Sequence, residues 1–242
     1  MVKRAVPPKP GSTSKPSPGT GKPCKGASGA RGRKKRPAGP DLTHERRLAK
    51  THGGVVAGVD EAGRGPWAGP VVVSAVIVNP KDLPEGLNDS KKLSEARREA
   101  IYADILTKCH VSIILASPER IDAMNIRAAT LWAMRAALSA LPERPAAALI
   151  DGRDVPADLI CPAEALIKGD ALSVSVAAAS IVAKVTRDRM MVLLDRECPG
   201  YGFAAHKGYG TEQHRAALAD LGPTRHHRRS FAPIRNLLEQ SI

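Results

Sequence analysis

The apolar positions of this chain fall into runs that differ in kind. Residues 55–60 (VVAGVD) are apolar up to a terminal acid and read as a buried strand; 69–78 (GPVVVSAVIV) read as its partner. Residues 87–94 are a polar loop running into a helix, with Ser94 as N-cap and Arg97 where a capping box would need an acid. Residues 110–117 form a third apolar run. Ser117-Pro118 then signals a helix start, and helical periodicity lasts to about 141 with a break near Asn125. Residues 146–152 and 164–170 are two further strands, each closing on an acid beside a glycine. Residues 173–198 read as one long helix, small and apolar on one side, and 210–222 as another with Gly222 past its end. There is no internal repeat. Strands first, then alternating strands and helices, predict an α/β domain with a mixed sheet.

Charge divides the chain differently. The formal net charge is +13, which points to an anionic partner. Residues 1–40 hold 11 Lys and Arg and no acid, leaving 26 basic against 24 acidic side chains in the rest. That segment has no aromatic residue and is dense in Pro, Gly, Ser and Lys, so it cannot bury enough apolar surface to offset its ordering entropy. It reads as disordered, and the boundary between tail and domain is set at residue 50. Its RGRKKRP cluster serves either as a loose nucleic-acid tether or as a solubilising tail. The four cysteines (Cys24, Cys109, Cys161, Cys198) have no C-x-x-C spacing, which fits a reduced, cytoplasmic setting and argues against a zinc site. No apolar run has the length of a membrane span, and the N-terminus lacks a signal-peptide core.

The acids carry the chemistry. Asp60-Glu61, Asp151 and Asp170 all stand where a strand is expected to end. Taken singly, each reads as a solvated turn residue or a helix cap. Taken together, carboxylates gathered at one end of a sheet repel one another unless a cation joins them. Hard oxygen ligands suit Mg²⁺ or Mn²⁺, and two such ions can support phosphodiester hydrolysis. Consecutive strand residues face opposite sides, so a bend at Glu61, made possible by Gly63 and Gly65, is expected to bring Asp60 and Glu61 to one place. Gly63-Arg64-Gly65 matches neither a Walker A loop nor G-x-G-x-x-G. Beside a metal cluster, its backbone could approach a sugar and Arg64 a phosphate.

The ordered series GVDEAGRGPWAGPVV, DSKKLS, IDG, KGD, AAASIVAKVTRDR, HKGYGT and HRRSFAPI resembles bacterial ribonuclease HII over about residues 54–236. The resemblance implies a ribonuclease H-like fold: a five-stranded mixed sheet flanked by helices, here with a C-terminal helical extension and the basic tail. It implies endonucleolytic hydrolysis of the RNA strand of RNA–DNA hybrids. It also implies incision 5′ of single ribonucleotides in duplex DNA, leaving 3′-hydroxyl and 5′-phosphate ends. The family's four metal-binding acids fall on Asp60, Glu61, Asp151 and Asp170, with Mn²⁺ or Mg²⁺ as cofactor. Its ribose-reading turn falls on Gly63, Arg64 and Gly65. Tyr209 of HKGY would stack on the sugar 3′ to the ribonucleotide, and Lys91 of DSK would contact the phosphate backbone. A monomeric enzyme acting in ribonucleotide excision repair is implied, while the sequence carries no support for a sliding-clamp partner.

Ribonuclease HIII, on the same fold, carries an extra N-terminal substrate-binding domain, and residues 1–40 are too short and polar to form one. A binding protein without catalysis predicts a broken acid set, and the set is intact. Among the remaining polar residues, His206 reads as a packing histidine rather than a proton shuttle. His226 and His227 are adjacent and so unsuited to share a metal, and the run 225–229 reads as phosphate contacts. Lys184, Arg187 and Arg189 read as a solvated helix face.

Overall fold

The computed structural model describes residues 39–239. In chain order these form α1 (Thr43–His52), β1 (Val56–Ala62), β2 (Val71–Ile77), α2 (Glu95–Lys108), β3 (His110–Ala116), α3 (Pro118–Met124) and α4 (Ile126–Ser139). There follow β4 (Ala147–Asp151), β5 (Ala163–Leu166), α5 (Val174–Glu197), α6 (Phe203–His206), α7 (Glu212–Leu221) and α8 (Ala232–Glu239). The sheet order is β3-β2-β1-β4-β5. β1 pairs antiparallel with β2 and parallel with β4, so the sheet is mixed and β1 is its centre. Because β1 and β4 run the same way, their carboxyl ends stop side by side, which is where Asp60, Glu61 and Asp151 stand.

The expected caps form. Ser94 and Ser117 accept from the N–H groups of Arg97 and Arg120, and Asn125, at φ 67°, ends α3 and caps α4. β2 shows why its run reads as buried. Val73, Ala75 and Ile77 pack on Ala133, Met134, Ala137 and Leu138 of α4, while Val76 packs on the other face against α2 and α5. Both faces of the strand are covered, so alternation is lost.

α5 lies very close to β1. A Cβ on Gly58 would fall 2.2 Å from the Ser175 carbonyl carbon and 2.3 Å from the Val176 nitrogen. Only glycine permits that approach, and it sets the height at which Ser180 meets the end of β1. Residues 174–183 of α5 are all buried, so the helix has no solvated side in its first three turns.

The structure corrects several expectations. The tail boundary at residue 50 falls inside α1, where Leu48 packs on Val56, Leu149 and Val176. Glu45 of that helix accepts from Ser173 Oγ, Ser175 Oγ and Ser175 N, tying α1 to the start of α5. The disorder expected of residues 1–38 lies outside the described residues. β5 ends at Leu166, and Asp170 sits beyond it in a short 3₁₀ turn, Gly169–Ala171, after Lys168 in the left-handed region. No helix among the described residues is long and apolar enough to cross a membrane.

Candidate active site

Asp60, Glu61, Asp151, Lys91 and Tyr209 line one cleft of about 360 Å³, together with Gly63, Ser90, Ser180, Lys184 and Arg187. The sheet, not a bend, brings the first two acids there. The β1–β2 register runs unbroken from Ala57↔Ile77 to Ala62↔Val72, so no bulge occurs at Glu61. The parallel pairing with β4 stops at Val59↔Ile150. Beyond that point Glu61 has no strand on its β4 side, and its longer side chain reaches the cleft past the strand end.

The electrostatics of the four acids are those of crowded like charges. Asp60 is 6% exposed, and burial pushes its carboxyl well above the ordinary range, with the charges of Glu61 and Asp151 adding to the rise. Its Oδ1 accepts from the N–H of Glu61 at 2.7 Å. Burial also raises Glu61, against the pull of Arg64, whose Nη1 is 3.3 Å from Glu61 Oε1. Glu61 Oε2 is buried and has no partner. Asp151 Oδ1 accepts from the N–H of Gly169 at 2.7 Å, which fixes the 3₁₀ turn that carries Asp170. Asp170 is raised by burial and by Asp89 and Asp151.

Lys91 leans into this field, its Nζ 3.7 Å from Asp170 Oδ2. Burial works against its ammonium, yet Asp170, Asp89, Asp60 and Asp151 together hold its pKa above the usual lysine value. Among the described residues no three Asp, Glu, His or Cys side chains already stand as a ready ligand cage. Arg64 and Lys91 are the counter-charges in place. The donor set nevertheless fits a hard divalent cation: all oxygen, mutually repelling, with one buried carboxylate oxygen unserved.

The opposite wall is built by the C-terminal helices. Tyr209 is 48% exposed and does not pack into the core. A Cβ on Gly65 would lie 3.5 Å from its Cε1, so the turn and the ring are neighbours. Trp67 N–H donates to Gly208 O at 2.8 Å, and a Cβ on Gly210 would strike the Trp67 ring, so the two loops fit tightly.

Behind Tyr209 lies a chain of histidines. His227 Nδ1 accepts from the N–H of Thr224, so its Nε2 carries the proton that faces His214 Nε2 at 3.0 Å. His214 Nδ1 then donates to Tyr209 O at 3.0 Å. Burial lowers both histidines to about 4, which keeps them neutral as this chain requires. His206 does pack: its ring stacks on His214, Nδ1 accepts from Gly208 N–H and Nε2 donates to Tyr201 O.

Two expectations for basic residues are overturned. Arg187 is 1% exposed and Arg228 0%, so neither belongs to a solvated face or to a phosphate-contacting run. Arg187 donates to the carbonyls of Ala68, Pro70 and Lys207. Arg228 donates to those of Gly63, Arg64 and Gly69. His227, in the same run, is also buried. The signal for Arg187 was present as helical spacing. Val176, Ser180, Ala183, Arg187 and Met191 lie on one stripe of α5, and all are buried. Arg228 had no such signal, because it sits in a loop.

The sequence model of one family, Ribonuclease HII, matches residues 57–234. A Ribonuclease HII of Azorhizobium caulinodans is 57% identical over 198 residues, which is 82% of this chain and 76% of the relative. One from Jannaschia sp. is also 57% identical, over 83% of this chain and 98% of the relative. Among solved structures, the ribonuclease H2 of Pyrococcus horikoshii OT3 aligns with a TM-score of 0.67 at 28% identity, covering 77% of this chain and 98% of that one.

Proposed function

The chain belongs to the ribonuclease HII family, and on that premise we propose that the cleft between the ends of β1 and β4 and the Tyr209 loop is where it cuts. The family makes it a type II ribonuclease H, an endoribonuclease acting on RNA–DNA hybrids. Our reading adds incision on the 5′ side of a single ribonucleotide in duplex DNA. Water adds across the P–O3′ bond, its hydroxyl going to phosphorus and a proton to the 3′ oxygen.

The observation that carries this reading is the buried, unserved Oε2 of Glu61, beside Asp60 and Asp151, with the carboxyls of Asp60 and Glu61 raised by burial and then by neighbouring negative charge. Asp60, Glu61, Asp151 and Asp170 would hold Mg²⁺ or Mn²⁺. A divalent ion there supplies Lewis-acid stabilisation of the charge that builds on the phosphate. The chain's own residues do the rest. Lys91 and Arg64, exposed beside the acids, take phosphates adjacent to the cut. The Gly63-Arg64-Gly65 turn reads the 2′-hydroxyl, the group that separates RNA from DNA. Tyr209 stacks on the sugar 3′ to the ribonucleotide, where a deoxyribose is accommodated best. The enzyme works as a monomer.

The test is cleavage of a DNA duplex containing one ribonucleotide, with Mg²⁺, with Mn²⁺ and with EDTA. Metal-dependent cutting at the 5′ side of the ribonucleotide is expected. No cutting of that duplex by a preparation active on RNA–DNA hybrid would overturn the single-ribonucleotide reading.

A further inference from the structure

Arg187 and Arg228 are two buried guanidiniums, and among the described residues no carboxylate is hydrogen-bonded to either. The hydrogen bonds of each go to backbone carbonyls: Pro70 at 3.1 Å, Ala68 at 3.2 Å and Lys207 at 3.0 Å for Arg187; Gly69 at 3.0 Å, Arg64 at 3.0 Å and Gly63 at 2.6 Å for Arg228, whose guanidinium also lies over the Phe231 ring. Burying two like charges side by side is unfavourable. Burial, and then the charge of Arg187, bring Arg228 down to about 9. A packing role alone would be met by an apolar side chain without that cost.

What the pair holds is specific. The six carbonyls belong to the turn and the segment after it, residues 63–70, and to the loop before Tyr209. A trans peptide points its N–H opposite its C=O. Since Gly63 O and Arg64 O are drawn inward by Arg228, the N–H groups of Arg64 and Gly65 are turned the other way. Among the described residues neither N–H has a backbone partner. Gly63 is also fitted to the pair: at φ 96°, a Cβ there would lie 1.9 Å from Arg187 Nε. Arg187 bridges the segment following the turn to Lys207, two residues before Tyr209.

We propose that Arg187 and Arg228 act together as a brace that fixes the Gly63-Arg64-Gly65 turn against the Tyr209 loop, and that as positioning residues they set how strongly the enzyme distinguishes a ribonucleotide–deoxyribonucleotide junction from continuous hybrid. The inference rests on the reading of the turn and Tyr209 as the groups that read the sugars. Neither arginine touches substrate in this scheme; both act through the backbone they hold.

The test uses Arg228→Lys and Arg187→Lys, which keep a cation and lose the planar fork. Thermal melts establish that each variant folds. Steady-state kcat and KM are measured for the wild type and each variant on a duplex with one ribonucleotide and on a uniform RNA–DNA hybrid, with Asp60→Asn as reference. The expected result is a folded variant whose kcat/KM falls roughly 10-fold further on the junction substrate than on the hybrid, the scale of losing a charge-assisted hydrogen bond. Double substitution should lose little more than the worse single change, because the two act on one unit. Equal falls on both substrates, or an unchanged ratio, overturn the brace. So does failure of both Lys variants to fold, which would make the pair an element of core stability. Failure of the site reading shows separately: Asp60→Asn would remain active, or the wild type would not cut the junction substrate.

Discussion

Two sets of buried charge face each other across the cleft. On the sheet side, Asp60, Glu61, Asp151 and Asp170 repel one another, and Glu61 Oε2 has no hydrogen-bond partner among the described residues. On the helical side, Arg187 and Arg228 are more deeply buried, yet five of the six Nε and Nη nitrogens of their two forks donate to carbonyls. The contrast separates two uses of a buried charge. A charge left short of partners among other acids in a cleft, as Glu61 is, is completed by something that comes from outside; Glu45 Oε2 is unserved too, but stands apart from the acid group. A charge served mainly by backbone is largely completed already, and its work is to hold that backbone in place. Burial alone does not tell them apart; the hydrogen-bond inventory does.

The sharpest way to break this contrast is to reduce the acid set. Asp60→Asn or Asp151→Asn is expected to remove cleavage by about 10³-fold or more, taking the Lewis-acid contribution as several kcal/mol and about 1.36 kcal/mol per factor of ten. The melting temperature without metal should hold or rise, because one of the repelling charges is gone. Asp170→Asn, at the more peripheral acid, should be milder. Near-normal Mg²⁺-dependent rates in Asp60→Asn would remove the acids from the chemistry.

Tyr209→Ala probes the surface between the two sets. Aromatic stacking on a nucleotide is worth roughly 1–3 kcal/mol, or about 5- to 150-fold in rate. The loss should concentrate on a single ribonucleotide in DNA and be smaller on a continuous hybrid. Rates on both substrates in one buffer decide this. An equal loss on both would make Tyr209 a general support.

Acid tests the helical wall, against an opposite contribution from the raised carboxyls of Asp60, Glu61 and Asp170, which favour the folded chain as pH falls. His214 and His227 stand at about 4 in the fold against an ordinary value of 6.5. Between those values the unfolded chain takes up protons that the folded chain refuses. Their contribution to stability is therefore complete above about pH 6.5 and is lost as pH falls toward 4. The unfolding free energy from urea titrations should drop between pH 7 and pH 5 by on the order of 2 kcal/mol for each histidine, about 4 kcal/mol for the pair. A wild-type profile of the same shape as that of a His214→Gln, His227→Gln variant would mean the histidine chain is not closed as described.

The smallest effects belong to the exposed cations. Lys91→Met loses a contact of 3.7 Å from a side chain that is largely exposed, so stability should change by less than about 1 kcal/mol. The slope of log affinity against log salt should fall by about one. An unchanged slope would mean that Lys91 answers only to the acids. Removing residues 1–40 leaves Asp41 and its bridge to Ser173 intact. The melt should be unchanged and the salt dependence of DNA binding flatter, since 11 cations leave with the segment. A lowered melting temperature would mean that the tail supports the body.

What the sequence determined by itself was whatever depends on neighbours along the chain. Apolar runs predict strands because a strand covered on both faces must be apolar throughout, and Ser94, Ser117 and Asn125 cap helices through contacts three residues long. The acids and the glycine-rich turn were legible for the same reason: unlike residues stood out against local pattern. Tertiary structure decided the rest. The bend expected at Glu61 is absent because β1 outruns its pairing with β4, a fact of register between distant strands. α1 gave no apolar stripe, since Glu45 is held by Ser173 and Ser175, more than 120 residues away. Arg187 and Arg228 looked like surface cations because charge alone predicts exposure. Their carbonyl partners come together only when α5, the turn after β1 and the C-terminal loops pack on one another, and no local pattern in the sequence encodes that meeting.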